Sequence, residues 1–82
     1  MGAIADRIAE LGLELPPVAA PAGAYVPALV TGSLVYTSGQ LPVVDGALLA
    51  TGKVGAEVAP EDAAGCARTA VLNALAAAGA AI

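Results

Sequence analysis

The residues that could perform chemistry in this chain are few, because its 82 residues include no histidine and a single cysteine, Cys66. Histidine is the usual base for a serine or cysteine nucleophile and a common metal ligand, so neither a nucleophilic triad nor a metal site is expected. Glu61 and Asp62 form a carboxylate pair, but they fall in the first turn of a predicted helix, where negative charge favours the positive end of the helix dipole. Cys66 follows in the same helix and is expected to be a small apolar residue. Residue types alone therefore assign no catalytic residue.

The segment best suited to a functional site is residues 34–42 (LVYTSGQLP), an apolar, β-prone run that ends in a turn. The turn places the hydroxyl of Ser38 and the amide of Gln40 on either side of Gly39. A serine near a turn often satisfies backbone groups, and a glycine often serves the backbone conformation. Upstream, Tyr25 could be a surface aromatic that covers a loop. These residues therefore have structural interpretations beside the ligand-binding one.

The charge of the chain argues against one large class of partner. Its net charge is −4, and its only cations are Arg7, Lys53 and Arg68. Proteins hold a nucleic-acid backbone with clustered lysine and arginine side chains, and three scattered cations cannot form such a patch. Lys53 lies in a glycine-rich stretch, residues 51–55, but the spacing of a phosphate-binding P-loop is absent. The sequence therefore predicts no nucleic-acid binding.

The elements that must position the candidate residues begin with a helix and a leader. Ile4 and Ile8 recur at helical spacing and Gly12 supplies a stop, which predicts a surface helix over residues 2–11. Residues 13–24, the leader, contain three prolines and are expected to be extended. A basic region followed by an apolar core is missing here, so no signal peptide is expected.

Two β-hairpins are predicted after the leader. Residues 28–31 and 34–38 are β-prone, and the Gly-Ser pair between them suits a type II′ turn because glycine tolerates positive φ at its first position. Residues 41–44 and 47–50 flank an Asp-Gly pair, which favours a second hairpin turn. Residues 51–55 could add a short edge strand.

A long helix is predicted over residues 60–78, with Pro60 at its first position and Gly79 near its end. Asn73 is expected to make a structural hydrogen bond. The alanine-rich residues 69–82 are too short for the roughly 20 residues that a bilayer requires, so a cytoplasmic protein without a membrane partner is expected. The predicted apolar face of the helix consists of Ala63, Ala67, Ala70, Val71, Ala74, Leu75 and Ala78.

The composition predicts a thin hydrophobic core. Alanine supplies 22 of the 48 apolar residues, and phenylalanine and tryptophan are absent. Burying an alanine contributes little, whereas a valine or leucine contributes about 1.5–3 kcal/mol. A stable product therefore needs either more chain or a partner subunit.

Three stretches of the sequence, residues 23–28 (GAYVPA), 31–42 (TGSLVYTSGQLP) and 51–55 (TGKVG), resemble the first half of proteins of the Rid (YjgF) family of imine deaminases. The resemblance continues into the long helix and covers nearly everything beyond the first helix. With the helix and leader predicted above, the chain divides into an N-terminal helix and proline-rich leader at residues 1–24 and the first half of a Rid-like domain at residues 25–82.

The resemblance implies an α+β fold of the chorismate-mutase-like (bacillary) type, in which a mixed β-sheet carries helices on one face. It also implies a homotrimer whose subunits enclose clefts for a small imino or keto acid. The implied activity is hydrolysis of reactive enamines or imines to 2-keto acids and ammonia, without a metal or organic cofactor. Two alternatives stay open: a noncatalytic module of the same fold that binds small molecules or assembles, and an inactive truncated fragment.

By position, Tyr25 matches the tyrosine that lines the cleft of the family, and Ser38 matches the serine at the end of the second strand. The family's carboxylate-binding arginine and water-orienting glutamate belong to the second half of the domain, beyond Ile82. Arg68 occupies a different place in the pattern and is not expected to replace that arginine. The implied substrate-binding residues are Tyr25, Ser38, Gly39 and Gln40.

Overall fold

The computed structural model describes residues 2–82, which contain two helices and four short strands. This arrangement confirms the predicted α+β class. The strands form two separate antiparallel hairpins, and the second helix packs against both of them. In chain order the elements are α1 (Gly2–Glu10), β1 (Ala28–Thr31), β2 (Leu34–Thr37), β3 (Val43–Val44), β4 (Ala47–Leu48) and α2 (Pro60–Ala81).

Helix α1 ends in a glycine motif, as the sequence predicts. Gly12 has φ +74°, its N–H donates to the carbonyl of Ala9 at 3.0 Å, and the N–H of Leu13 donates to the carbonyl of Ile8 at 3.1 Å. This pair of bonds is the Schellman arrangement, which satisfies carbonyls left open at a helix end. Ile8 is the buried residue of α1, so the helix lies on the surface as expected.

The first hairpin confirms the predicted turn. β1 pairs with β2 so that Leu29 lies opposite Tyr36. Gly32 has φ +59°, whereas the serine after it does not have a positive φ. A positive φ at the first turn position alone is the pattern of a type II′ turn, whose twist matches that of the two strands.

The second hairpin is also confirmed, although its strands are shorter than predicted. Asp45 and Gly46 have φ values of +52° and +82°. Positive φ at both positions is typical of a type I′ turn. Beyond the strands, the N–H of Leu49 donates to the carbonyl of Pro42 at 2.9 Å, which extends the pairing by one step.

Residues 51–55 form a loop, not the edge strand that the sequence allowed. Gly52 and Gly55 have φ values of +121° and +91°, and these left-handed conformations turn the backbone away from an extended course. The N–H of Lys53 donates to Oε1 of Glu57 at 2.9 Å. The loop is therefore held by Glu57, which follows it, and by backbone bonds to Val58, including one from the N–H of Gly55 to the carbonyl of Val58 at 2.7 Å.

Gly52→Ala should lower the free energy of unfolding by about 2 kcal/mol, because it combines backbone strain with a clash. A Cβ at Gly52 would lie 2.5 Å from the Cβ of Glu57. Urea denaturation of the variant and its parent measures the difference. Gly55→Ala is the matched control: its φ is also positive, but an added Cβ would meet no atom within 4 Å. Equal losses of stability in the two variants would show that the clash with Glu57 contributes nothing to the loss in Gly52→Ala.

Helix α2 runs to Ala81, beyond the predicted end, because Gly79 keeps a helical backbone. Within residues 2–82, neither helix has the length and apolar character needed to cross a bilayer.

The predicted apolar face of α2 was wrong in part. Val71 is 58% exposed, and Ala67 is exposed as well. The buried residues are Asn73, Ala76 and Ala77. Two of these residues have small side chains, and the third is a hydrogen-bonding amide, so the backbone of α2 can lie close to the hairpins. The buried face is therefore the one that permits this close packing, and not the one with the largest apolar side chains.

One face of the first hairpin is free of helix. Ala28 shares a small cavity with Ala77 of α2, so the side of β1 that carries Ala28 faces the helix. Successive side chains of a strand alternate between faces, and the register places Leu29, Leu34 and Tyr36 on the opposite side. Their exposed fractions are 53%, 58% and 56%. Together with Thr31 they form an uncovered apolar surface, here named the helix-free face.

Candidate functional site

Three of the four residues singled out in the sequence line one cavity of about 360 Å³. The cavity is bounded by the leader, by the turn that follows β2, and by the β3–β4 hairpin. Its volume falls in the range of small-molecule sites. The described residues that line it are Ala19, Ala20, Ala22, Tyr25, Gly39, Gln40, Leu41, Val43, Gly46 and Leu48.

Tyr25 is fixed by the leader that precedes it. The N–H of Ala22 donates to the Oη atom of Tyr25 at 3.1 Å. Since Oη accepts this bond, its own O–H remains available to donate to a ligand. Gly23 lets the ring lie close to the backbone, because a Cβ there would sit 3.4 Å from a ring carbon. The residue is 46% exposed, so the phenol is both positioned and accessible.

Ser38 lies behind the cavity wall and not in it. Its backbone N–H donates to the carbonyl of Pro27 at 2.9 Å, and its Oγ donates to the same carbonyl at 3.3 Å. The Nε2 of Gln40 donates to Oγ of Ser38 at 3.5 Å, a long and weak bond. Ser38 therefore restrains the Gln40 amide only weakly, and its Oε1 and second N–H remain for a ligand. Direct contact of Ser38 with a ligand stays a prediction.

Gly39 does not need to be glycine for the backbone conformation. Its φ is not among the positive values of the chain, and an added Cβ would meet no atom within 4 Å. Since Gly39 lines the cavity, the absence of a side chain there leaves space for a ligand. The structure therefore favours a role in cavity shape over the backbone role considered from the sequence.

Asn73 of α2 holds the wall that contains Gln40. It is 2% exposed, and its Nδ2 donates to the carbonyl of Leu41 at 2.9 Å and to the carbonyl of Val43 at 3.1 Å. Both acceptors belong to residues that line the cavity. The predicted structural hydrogen bond of Asn73 is confirmed, and it connects the helix directly to the candidate site.

The contribution of the leader was not predicted from the sequence. Ala19, Ala20 and Ala22 line the cavity, yet alanine carries no group that would mark it as functional. The only available signal was the prolines of the leader, which stiffen an extended segment. The leader, which was predicted to lie outside the Rid-like domain, thus contributes to the candidate site of that domain.

The walls of the cavity carry no charged side chain among residues 2–82. Arg68 lines a different cavity of about 590 Å³, together with Glu57, Glu61 and Asp62. No group of three or more His, Cys, Asp or Glu residues suited to a metal ion occurs within the described part of the chain. The candidate site can therefore offer hydroxyl, amide and apolar contacts, but no cation for a carboxylate.

Comparison with known families gives one match over most of the chain. The model of the family described as "YjgF/chorismate mutase-like, putative endoribonuclease" matches residues 5–82. The match confirms the family resemblance and the expected chorismate-mutase-like fold, and it begins within α1.

Two solved structures share this fold. A "putative endoribonuclease" from Shewanella oneidensis MR-1 is 43% identical, with a TM-score of 0.79 over 88% of this chain and 48% of that chain. The protein Atu1372 from Agrobacterium tumefaciens, described as of unknown function, is 39% identical, with a TM-score of 0.74 over 94% of this chain and 45% of that chain.

A curated relative agrees with these structures. Protein TCP17 from Trypanosoma cruzi is 36% identical over 72 residues, which are 88% of this chain and 45% of the relative. The chain thus spans about half the length of the relatives that it matches.

Proposed function

Because the chain belongs to the YjgF/chorismate mutase-like family, we propose that its protein hydrolyses reactive enamines or imines to 2-keto acids and ammonia in clefts between the subunits of a homotrimer. The observation that carries the proposal is the cavity in which Tyr25, Gly39 and Gln40 lie together. A small planar imino acid needs directed hydrogen bonds to fix its orientation and apolar walls to exclude bulk water. The cavity offers hydrogen-bonding groups and apolar walls, and a neighbouring subunit of the proposed trimer would close it to solvent.

The proposed reaction adds water to the carbon of the imine. A C–O bond forms to the water oxygen while the C=N electron pair moves to nitrogen, and one proton of the water is transferred to that nitrogen. In the tetrahedral intermediate the hydroxyl proton is then transferred to the amino nitrogen, the C–N bond breaks to release ammonia, and the keto group forms. The Tyr25 hydroxyl and the Gln40 amide would orient the ligand and stabilise charge that develops in these steps. By resemblance, the groups that bind the carboxylate and orient the water belong to the second half of the family domain.

Assembly into a trimer is proposed because the chain buries few large side chains. Its buried hydrophobic residues, among those described, are Ile8, Val58, Ala76 and Ala77. The helix-free face meanwhile presents a contiguous set of apolar side chains to solvent. Such exposed patches are typical of interaction sites, and a second subunit would supply the burial that a small core lacks.

The charge distribution supports imine hydrolysis over the endoribonuclease description carried by the family and by the Shewanella relative. RNA cleavage requires groups that hold phosphates, and the net charge here is −4. Arg7 is already paired with Glu10 at 3.1 Å, and the candidate cavity is lined by no cation within residues 2–82. A 2-imino acid carries one carboxylate, whose arginine belongs by resemblance to the second half of the family domain, and its imine group and side chain need no cation in the cavity walls.

The first test is catalysis itself. We expect the protein to accelerate ammonia release from freshly generated 2-aminocrotonate, and Tyr25→Phe to lower kcat/KM by about tenfold through loss of one hydrogen bond to the ligand. A coupled ammonia assay measures both rates. Ser33→Ala, which removes a hydroxyl in the β1–β2 turn outside the cavity, serves as the control and should leave the rate unchanged. Unaccelerated release with retained ligand binding would favour the noncatalytic binding module.

A further inference from the structure

We propose that the leader selects the ligand by the size of its apolar side chain. Ala19, Ala20 and Ala22 form one wall of the candidate cavity, although the leader precedes the strands and helix that carry the other walls. The inference rests on the proposed function, because it names the part of the 2-imino acid that the cavity accepts. It assigns to these three alanines a role in specificity.

The leader is held in place before any ligand binds. Pro16, Pro17 and Pro21 each restrict φ to a narrow range, which stiffens an extended segment. At its far end, the N–H of Ala22 donates to Oη of Tyr25 at 3.1 Å. Ala19 is half-buried, so the segment lies against the rest of the molecule. A fixed wall excludes a ligand that is too large instead of yielding to it.

The part of the cavity wall that follows Gln40 in the chain is apolar and uncharged. It is formed by Leu41, Val43 and Leu48, with Gly46 at the hairpin turn. An ionised carboxylate placed among these residues would lose its hydration without gaining a cation. An aliphatic or aromatic side chain would instead gain from burial. The cavity is therefore suited to the side chain of the substrate, while the carboxylate points elsewhere.

The cavity is larger than the smallest substrates need. At about 360 Å³, it leaves unfilled space around a ligand that carries only a methyl group. Alanine is the smallest residue with a side chain, so the leader wall contributes little volume of its own. We infer a preference for 2-imino acids with branched aliphatic or aromatic side chains over those with one or two side-chain carbons.

The test narrows the cavity from the leader side. Ala20 is exposed, so Ala20→Leu can extend into the cavity without overpacking the core. Pyruvate, 2-oxobutanoate, 4-methyl-2-oxopentanoate and phenylpyruvate are stable keto-acid probes of increasing size for calorimetric titration of the full-length protein. We expect the parent to bind the two larger acids more tightly. Ala20→Leu should weaken the binding of these two acids by about tenfold and change the affinity for pyruvate by less than about twofold. Ala19→Val serves as a second variant if Ala20→Leu reduces folding.

The control is Ala24→Leu, which adds the same side chain to the leader at an exposed residue that does not line the cavity. It should leave all four affinities unchanged. The inference would be overturned if Ala20→Leu weakened the binding of all four acids equally, or if the parent bound none of them. Size-dependent binding without accelerated release from 2-aminocrotonate would instead overturn the proposed hydrolysis and leave the role of the leader standing.

Discussion

Replacing Asn73 with alanine should lower the free energy of unfolding by about 3 kcal/mol, the largest loss expected from a single side chain in this fold. Asn73 is 2% exposed, and both of its bonds end on carbonyls of the cavity wall, at Leu41 and Val43. The alanine variant leaves both carbonyls without their donor and opens a small void beneath them.

Urea denaturation measures this loss, and Asn73→Asp separates its two causes. Aspartate keeps the volume of asparagine, but an ionised carboxylate accepts hydrogen bonds and cannot donate them. We expect Asn73→Asp to be at least as destabilised as Asn73→Ala, because it turns a negative charge towards two carbonyl oxygens. Val71→Ala, on the exposed side of the same helix, is the control and should cost less than about 0.5 kcal/mol. If Asn73→Asp were as stable as the parent, the two hydrogen bonds donated by Asn73 would contribute nothing to the free energy of unfolding.

Asn73 variants should also weaken ligand binding, because the wall that Asn73 holds is continuous with Gln40. A loosened wall no longer presents the Gln40 amide in one orientation, and the precision of polar contacts determines how well a small ligand is held. Titration of a keto acid under conditions where the variant is fully folded distinguishes this effect from global unfolding.

Local signals in the sequence were sufficient for most of the elements. Gly32 and the Asp45-Gly46 pair predicted two hairpin turns because left-handed φ angles require such residues. Gly12 predicted the end of α1 for the same reason. Each of these features depends on neighbours within a few residues, which is the range over which sequence patterns determine conformation.

The features that failed or were missed depend on contacts between distant segments. The face that α2 buries is decided by where the hairpins lie, and the sequence pattern favoured Val71 over Asn73 because it weighs side-chain hydrophobicity alone. The approach of Ala19 and Ala20 to the cavity likewise follows from the course of the leader over the fold. The motif identified Gly39 and Gln40 by resemblance, but it did not indicate that Ser38 lies behind them.

Leu34→Glu should convert the proposed homotrimer into a monomer. Leu34 lies on the helix-free face, where it is 58% exposed, beside Tyr36 and Leu29. In the separate subunit the new carboxylate is hydrated, so the stability of the subunit should change by less than about 0.5 kcal/mol. In an assembly that covers this face, the same carboxylate would be buried without a partner, which costs several kcal/mol. The equilibrium should then shift towards the monomer by at least about a hundredfold.

Sedimentation equilibrium distinguishes these states, because the parent is expected at three times the mass of one chain and the variant at one. Val54→Glu makes the same chemical change at a residue that is 61% exposed in the glycine-rich loop, outside the helix-free face, and should leave the mass at that of the trimer. A parent that sediments as a monomer would overturn the trimer. A trimeric Leu34→Glu variant would show that the subunits meet through some other surface. If the clefts between subunits complete the site, the Leu34→Glu variant should also fail to accelerate ammonia release. Each separate subunit would keep the cavity formed by Tyr25 and Gln40, but no neighbouring subunit would close that cavity.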